Sequence, residues 1–257
     1  MNGRRRVRGS LAHRTIVVTR PVDQSSILVK QLDQRGARAL VAPTIEIAPI
    51  RSAALTAALR ELAGGSYAWL TLTSRATVDV LAERLGSPKE ARARVAVIGD
   101  GTATAFRRWA RRQPDLQPGT FTTAALARAF PRGSGRVLCA RADIAPPGLE
   151  MALAAKGWSP DRVNAYRTLM PRRLPAETRD ALRAGDVDAV TFTSASTVRG
   201  FVGALGAVRG LPKVVCIGPI TAAEARAHGF AVSAVARPHT IDGLVAALER
   251  VLPPVAP

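Results

Sequence analysis

Cysteine and histidine are scarce in this 257-residue sequence, with two and three copies respectively. Cys139 and Cys216 both lie in apolar runs that predict strands, so we interpret them as reduced core residues rather than as a disulfide or a metal pair. His13, His228 and His239 stand far apart, and no Cys/His cluster accompanies them. A zinc site needs several such ligands close together, and we therefore expect no metal.

A long apolar run is also missing. No stretch of about 18 apolar residues, the length of a membrane-spanning helix, occurs in the sequence. The basic N-terminal segment does not continue into the apolar stretch of a secretory signal. We therefore expect a cytoplasmic protein that does not contact a membrane. Residues 1–13 are predicted to be a disordered basic extension, although a later start codon would also explain them.

Acidic residues are few: 19 Asp and Glu stand against 37 Lys and Arg, which gives a formal net charge of +18. Such a charge is typical of proteins that bind nucleic acid or another polyanion. Only 4% of the residues are aromatic, so no series of base-stacking rings accompanies the arginines. We interpret most of the arginines as solvated helix faces and expect no nucleic-acid partner. A small polyanionic substrate is the functional alternative.

What the sequence does contain is an internal duplication. The segment WLTLTSRATV recurs as AVTFTSASTV, which puts Ser194 120 positions after Ser74 (194 − 74). The segment VAVIGDGTA recurs as VVCIGPITA, with an offset of 119 from Gly99 to Gly218 (218 − 99). A repeated unit of roughly 120 residues is too long for a solenoid repeat and has the size of a domain. We expect a ligand between the two copies.

Predicted strands alternate with predicted helices along the whole chain. The strands are expected at 15–19, 38–41, 68–72, 94–98, near Leu116, at 136–140, near Arg162, and at 189–193, 213–217 and 231–235. The helices are expected at 23–35, 53–62, 75–85, 102–111, 124–130, 148–156, 176–184, 196–205, 220–228 and 241–251. This order predicts an α/β fold with parallel sheets that are covered on both faces. Ten strands would form two five-stranded sheets in two similar flavodoxin-like or Rossmann-like lobes.

Two extended passages flanked by proline, residues 43–49 and 164–168, interrupt the alternation. They do not coincide with the boundary of the duplication, which falls near Gly133. If both passages are crossings, residues 14–42 plus 169–257 form a discontinuous first lobe, and residues 50–163 form a continuous second lobe. The two passages would then be antiparallel linker strands. Periodicity alone also allows two tandem domains.

Hydroxyl residues follow the strands of both copies, at the edge where open parallel sheets bind ligands. Thr73 and Ser74 end one strand and begin a helix, and Ser194 has the same place in the second copy. Their hydroxyls and the next N–H groups are suited to anions. Simple capping of the two helices is the structural alternative.

A glycine turn follows a later strand in each copy. Gly99 and Gly218 would let the chain turn sharply and approach a ligand, while Thr102 and Thr221 lie three residues further on, in the first helical turn. Neither a G-x-G-x-x-G fingerprint nor a P-loop lysine accompanies these glycines. We therefore expect no nucleotide cofactor.

Tyr166 lies in the passage 164–168 and is one of only two tyrosines. A phenol with a pKa of about 10 stays protonated at neutral pH and acts as a hydrogen-bond donor or general acid. Packing of an amphipathic linker residue is the alternative. Arg20 and Arg141 end the first strand of each repeat and could bind carboxylates through two N–H groups, with surface salt bridges as an equal alternative.

In their order and spacing, five short motifs resemble those of the uroporphyrinogen-III synthase family. The resemblance covers about residues 14–250 and is carried by VTRP (18–21), PTIEI (43–47), YRT (166–168), TFTS (191–194) and IGPIT (217–221). It implies two α/β lobes joined by a two-stranded ladder, with the first lobe discontinuous.

The resemblance also implies a reaction: linear hydroxymethylbilane is cyclised with loss of water, and its last pyrrole ring is inverted through a spiro intermediate. Tyr166 would assist departure of the hydroxyl group. Substrate contacts would come from the hydroxyl residues Thr73, Ser74, Thr102, Ser194 and Thr221. No cofactor would be needed, a monomer would suffice, and the upstream bilane-forming enzyme is a candidate partner. The alternative is a noncatalytic two-lobe protein that binds a tetrapyrrole precursor or another small anion.

Overall fold

The computed structural model describes residues 9–86, 92–205 and 212–253. The strands are β1 (Thr15–Val18), β2 (Arg38–Val41), β3 (Glu46–Pro49), β4 (Trp69–Leu72), β5 (Arg94–Val97), β6 (Arg136–Ala142), β7 (Ser159–Leu169), β8 (Ala189–Phe192), β9 (Lys213–Cys216) and β10 (Val232–Val235). The helices are α1 (Val22–Gln34), α2 (Ala53–Ala63), α3 (Arg75–Leu85), α4 (Asp100–Ala110), α5 (Thr123–Ala129), α6 (Gly148–Ala154), α7 (Ala176–Ala184), α8 (Ala195–Leu205), α9 (Pro219–Ala227) and α10 (Ile241–Val251).

The chain divides into two compact units. The first takes its described residues from Met1–Glu46 and Leu169–Pro257, and the second consists of Ile47–Thr168. Each unit contains one five-stranded sheet, so the predicted α/β class with two such sheets is confirmed. The predicted lobe boundaries, residues 14–42 with 169–257 for one lobe and residues 50–163 for the other, stay a prediction.

The sheet of the first unit has the strand order β10-β9-β8-β1-β2. All four of its pairings are parallel, and Val18 lies opposite Val41 on one side and Thr191 on the other. Parallel pairing brings the carboxyl ends of all five strands to one edge, where loops lead into helices. The residues after β1, β8 and β9 are therefore neighbours at that edge, although they are far apart in sequence.

The sheet of the second unit has the order β3-β7-β6-β4-β5. Pairing is parallel from β7 through β6 and β4 to β5. The two predicted linker passages are strands of this sheet: β3 forms the end of 43–49, and 164–168 lies inside the 11-residue strand β7. The predicted strand near Leu116 is wrong, because Leu116 makes only an isolated bridge to Ala96. The predicted total of ten strands is still reached, because β3 takes its place.

Apolar residues cover both faces of each sheet, as expected for buried parallel strands. In β4, Leu70 and Leu72 pack in one buried cluster while Trp69 packs in another, because successive side chains point to opposite faces. Cys139 and Cys216 are buried in the strands and unpaired with one another. Burial raises the pKa of each thiol to about 12, so both are inert core residues at neutral pH.

No helix within the described ranges is long and apolar enough to cross a membrane. The longest of them, α1, has 13 residues, whereas a spanning helix needs about 20.

The prediction that residues 1–13 form a disordered extension is wrong for its last part. Leu11 is fully buried against α1 and α10, and its N–H donates to the carbonyl of Arg35 at 3.0 Å. Ser10 donates to the carboxylate of Glu249. Burial of one leucine stabilises a fold by about 1.5–3 kcal/mol. The prediction of disorder rested on the many arginines of this segment and overlooked its single leucine. Residues 1–8 lie outside the described part.

Helix α8 packs tightly on the chain segment that follows β2. The Thr44 hydroxyl donates to the carbonyl of Thr197 at 2.8 Å and lies 3.3 Å from the carbonyl of Thr19. Gly200, one helical turn later in α8, lies against the backbone of Thr44. A methyl carbon added at Gly200 would come within 1.9 Å of the Thr44 carbonyl oxygen. The absence of a side chain therefore sets the distance between helix and segment.

We expect Gly200→Ala to destabilise the protein by about 1–3 kcal/mol, because the new methyl group has no space. Gly203→Ala is the matched control on the same helix, where nothing lies within 4 Å of the added carbon. That variant should be more stable by up to about 1 kcal/mol, since alanine favours helix. Urea unfolding of both variants checks the prediction, and equal stabilities would contradict the close packing.

Candidate active site

The carboxyl edge of the second sheet carries a hydroxyl that has two roles. Ser74 follows β4 and caps α3, with its Oγ accepting from the N–H of Thr77 at 3.1 Å. The same Oγ lies 3.0 Å from the hydroxyl of Thr77. The simple capping interpretation is thus correct for the local fold. It is incomplete, because a second side chain reaches the same oxygen.

That second side chain is Tyr166 of β7. Its phenol donates to the Oγ of Ser74 at 3.0 Å, across 92 positions of sequence. Only 7% of the tyrosine is exposed, so the ring is packed and its hydroxyl is held in one place. Tyr166 belongs to a regular sheet strand rather than to an irregular linker.

The environment of the phenol keeps its proton in place. Burial raises the pKa of Tyr166 above its ordinary value of 10.0, and the charge of Asp143 acts in the same direction. The hydrogen bond to Ser74 and the charge of Arg141 lower this pKa in part. Because burial has the largest effect, the phenol is neutral at physiological pH and can donate a proton.

A register shift in the sheet aims Tyr166 at Ser74. Arg141 of β6 pairs with Asn164, but the next residue, Ala142, pairs with Tyr166, so β7 contains one extra residue. Ala165 and Tyr166 consequently pack in the same buried cluster as the start of α3. Strict alternation would have put them on opposite faces. Bulges of this kind often redirect a side chain at a site.

Arg141 has a different environment from the one that we predicted. Only 3% of it is exposed, and its Nη1 lies 3.0 Å from both carboxylate oxygens of Glu150 in α6. Arg162 approaches the same carboxylate at 3.9 Å. The surface salt bridge that we considered is therefore wrong, because the pair is buried. Direct contact with a substrate carboxylate is not supported by this geometry either, since the guanidinium faces a protein carboxylate.

Gly99 and Gly218 begin helices α4 and α9, but neither needs glycine for its backbone angles. Their φ values of −150° and −164° are extended, which any residue adopts. The chain does bend at both glycines, but the bends do not depend on glycine. What the two glycines share is the absence of a side-chain cap at the helix start. First-turn N–H groups without a side-chain acceptor are suited to anions. Thr102 and Thr221 lie in these first turns and are largely buried.

The first sheet repeats the hydroxyl cap at its own carboxyl edge. Ser194 Oγ accepts from the N–H of Thr197 at 3.2 Å and lies 2.9 Å from the hydroxyl of Ser196. Arg20 follows β1 at this edge and is partly exposed. In place of the tyrosine that contacts Ser74, a serine thus contacts Ser194.

The predicted residues fall into two groups by unit. Arg20, Ser194, Gly218 and Thr221 belong to the first sheet edge; Thr73, Ser74, Thr102 and Tyr166 belong to the second. Sequence reasoning missed Glu150, which sits on a helix without a recognisable motif. It also missed Thr77 and Ser196. The sequence did offer a signal for both, because Thr77 lies one helical turn after Ser74 and Ser196 lies two residues after Ser194. In the described ranges, no group of three or more His, Cys, Asp or Glu side chains could hold a metal ion.

Comparisons with known proteins identify the family and agree with the fold. A family model described as Uroporphyrinogen-III synthase HemD matches residues 26–246. Uroporphyrinogen-III synthase of Synechococcus elongatus is 29% identical over 256 residues, which cover 93% of this chain and 96% of that protein. Porphyrin biosynthesis protein HemD of Ruminiclostridium josui is 30% identical over 243 residues, 90% of this chain and 47% of its own length.

A solved structure has the same fold. The crystal structure of a mutant uroporphyrinogen III synthase from Thermus thermophilus superposes with a TM-score of 0.69 at 22% identity, covering 93% of this chain and 98% of that one. At this identity the likeness establishes the architecture only. The family model, which matches most of the chain, establishes membership. The chain belongs to the uroporphyrinogen-III synthase family, whose members cyclise hydroxymethylbilane in tetrapyrrole biosynthesis.

Proposed function

We propose that this protein cyclises hydroxymethylbilane to uroporphyrinogen III, with loss of water and inversion of the terminal pyrrole ring, and that Tyr166 is its proton donor. The observation that carries the proposal is the buried, neutral phenol held on Ser74 at the carboxyl edge of a parallel sheet. Family membership indicates the substrate, and the geometry supports Tyr166 as the acid.

The chemical step needs an acid of this kind. Breaking the C–O bond of the hydroxymethyl group releases hydroxide unless a proton reaches the oxygen, and a donated proton makes water the leaving group. The pyrrole electrons replace the lost C–O bond, and the substituted α carbon of the terminal ring then attacks the freed methylene carbon to form the spiro intermediate. The bond from that α carbon to its original methylene bridge breaks, and the bridge bonds instead to the unsubstituted α carbon, which closes the inverted macrocycle. A ring proton is lost on closure and can restore the phenol, so the net change is loss of one water. The Ser74 hydroxyl, 3.0 Å away, can turn to stabilise a transient phenolate.

Selection of the product is the second task of the enzyme. The bilane also closes without an enzyme, and then gives the isomer without inversion. A protein must therefore hold the terminal ring in the geometry of the inverted attack, which is catalysis by orientation. A phenol fixed by packing and by one hydrogen bond suits this task better than a mobile side chain.

The substrate carboxylates need partners, and both sheet edges offer them. We propose contacts at Arg20, at the hydroxyls of Thr73, Ser74 and Ser194, and at the N–H groups after Gly218. Support comes from the helix starts of α4 and α9, which have no side-chain cap, and from the preference of helix N-termini for anions. The contacts predicted for Thr102 and Thr221 concern largely buried side chains and stay predictions.

We propose further that the protein acts as a monomer in the cytoplasm and without a cofactor. A substrate with eight carboxylates is a water-soluble molecule, and Tyr166 and Ser74 come from one chain. Sedimentation at a mass near 27.1 kDa is the expected result, and a mass twice as large would contradict the monomer. Docking of the upstream bilane-forming enzyme stays a prediction.

Isomer analysis tests the proposed function. Freshly generated hydroxymethylbilane is incubated with and without the protein, and the oxidised type I and type III porphyrins are resolved and quantified. We expect type III to dominate with the protein. Type I alone, from folded protein, would reject the enzyme and favour a noncatalytic anion-binding protein.

The same assay tests the acid. Tyr166→Phe keeps the ring but removes the proton, and we expect type III formation to slow by about 100-fold, the lower range for general acid catalysis. Tyr67→Phe is the matched control, because it changes the other tyrosine, whose hydroxyl donates to Asp161. That control should form type III at nearly the original rate per folded molecule. Equal losses of rate in the two variants would show that Tyr166 is not the acid.

A further inference from the structure

We propose that Asp143 is a positioning residue for Tyr166: its backbone N–H and its carboxylate bind β7 at the tyrosine and two residues after it, and they fix the bulge that aims the phenol at Ser74. This inference rests on the proposed function of Tyr166. Asp143 acts only through the strand and is not a catalytic residue.

Asp143 binds β7 through two hydrogen bonds, one from its backbone N–H and one to its carboxylate. The N–H of Asp143 donates to the carbonyl of Tyr166 at 3.0 Å. Its carboxylate Oδ1 accepts from the N–H of Thr168 at 3.1 Å, and also from the N–H of Ile144 at 2.9 Å. The tyrosine is thus held at its own carbonyl and, two residues later, at the next N–H that points the same way.

The carboxylate is needed because the neighbouring strand ends too early. β6 stops at Ala142, while β7 continues to Leu169. The N–H of Thr168 therefore lies beyond the last residue of β6 that could accept from it. An unsatisfied backbone N–H at a partly buried strand end costs stability and leaves the strand free to shift. Asp143 Oδ1 replaces the missing strand carbonyl.

The exact register decides where the phenol points. Because side chains alternate between faces, moving the extra residue of β7 by one position would turn Tyr166 to the other face. The bulge lies between Arg141 and Ala142 on the β6 side, immediately before Asp143. The two hydrogen bonds from Asp143, the next residue, therefore hold the bulge at this position.

The oxygen of Asp143 matters here more than its charge. Its ionic neighbour is Arg167, whose Nε lies 3.7 Å from Oδ2, and the arginine side chain is 63% exposed. Exposed pairs of this kind contribute little. A neutral side chain with a carbonyl oxygen at the same position can accept the same two N–H bonds. A longer acid keeps the charge but displaces the oxygen by one methylene group.

Three substitutions of Asp143 distinguish the position of its oxygen from its charge. Asp143→Asn retains the acceptor, and we expect its rate of type III formation within about threefold of the original. Asp143→Glu retains the charge but moves the acceptor, and Asp143→Ala removes it; both should lose about 10–100-fold, the cost of misplacing a catalytic group by about 1 Å. Rates are expressed per folded molecule, with the folded fraction from near-ultraviolet circular dichroism. If the alanine variant does not fold, the asparagine and glutamate variants still decide between geometry and charge.

A double-mutant cycle shows whether the effect passes through Tyr166. In the Tyr166→Phe background, Asp143→Glu should cause no further loss, because the phenol that it misplaces is already absent. Asp115→Ala is the matched control: its carboxylate accepts from the N–H of Val95 at 2.7 Å, a bond of the same kind in the same unit. It should lower stability but leave the isomer ratio unchanged.

Each outcome has a defined meaning. Normal activity of Asp143→Glu, or an equal loss in the presence and absence of the phenol, overturns the positioning role while the proposed function stands. Loss of activity in Asp143→Asn as large as in Asp143→Glu overturns it too. If the unaltered protein forms only type I, the proposed function fails, and this inference fails with it.

Discussion

The hydrogen bond from Tyr166 to Ser74 is the contact on which the candidate site depends. It joins a strand to the start of a helix 92 positions away in sequence, and it gives the phenol one fixed direction. Three features of the second unit support this geometry. The α3 cap holds Ser74 in place, the bulge of β7 turns the ring toward it, and burial keeps the proton on the phenol.

The duplication explains how such a site arises in a chain with few reactive side chains. Both copies place a serine at the same strand-to-helix step, and both serines cap the helix through the N–H three residues later. The copies differ in what contacts that serine: Tyr166 in one and Ser196 in the other. The repeated hydroxyl edge thus carries a phenol in the second unit only. This asymmetry is the reason that we propose the proton donor in the second unit.

Much of the fold follows from sequence because its signals are local. Helices α3, α7 and α10 and strand β2 have their predicted bounds, since apolar periodicity and capping residues define them. The Tyr166–Ser74 contact could not be predicted, because it depends on a bulge that strand alternation hides. The buried pair of Arg141 and Glu150 was missed for a related reason: an arginine after a strand gives no sign of which face it occupies. The short β3 lies in a passage that the sequence predicts as a linker strand, because its flanking prolines disfavour a central sheet strand.

The central claim is that Tyr166 carries its proton at neutral pH, and the chain has only two tyrosines. In the Tyr67→Phe variant every change in tyrosinate absorbance belongs to Tyr166, so an alkaline titration of the folded variant reads its pKa directly. Because burial disfavours the charged phenolate, fewer than half of the molecules should be ionised at pH 10.0, the ordinary pKa of a tyrosine. Half-ionisation near neutral pH would contradict the account, since a phenolate cannot supply the proton that the leaving hydroxyl requires.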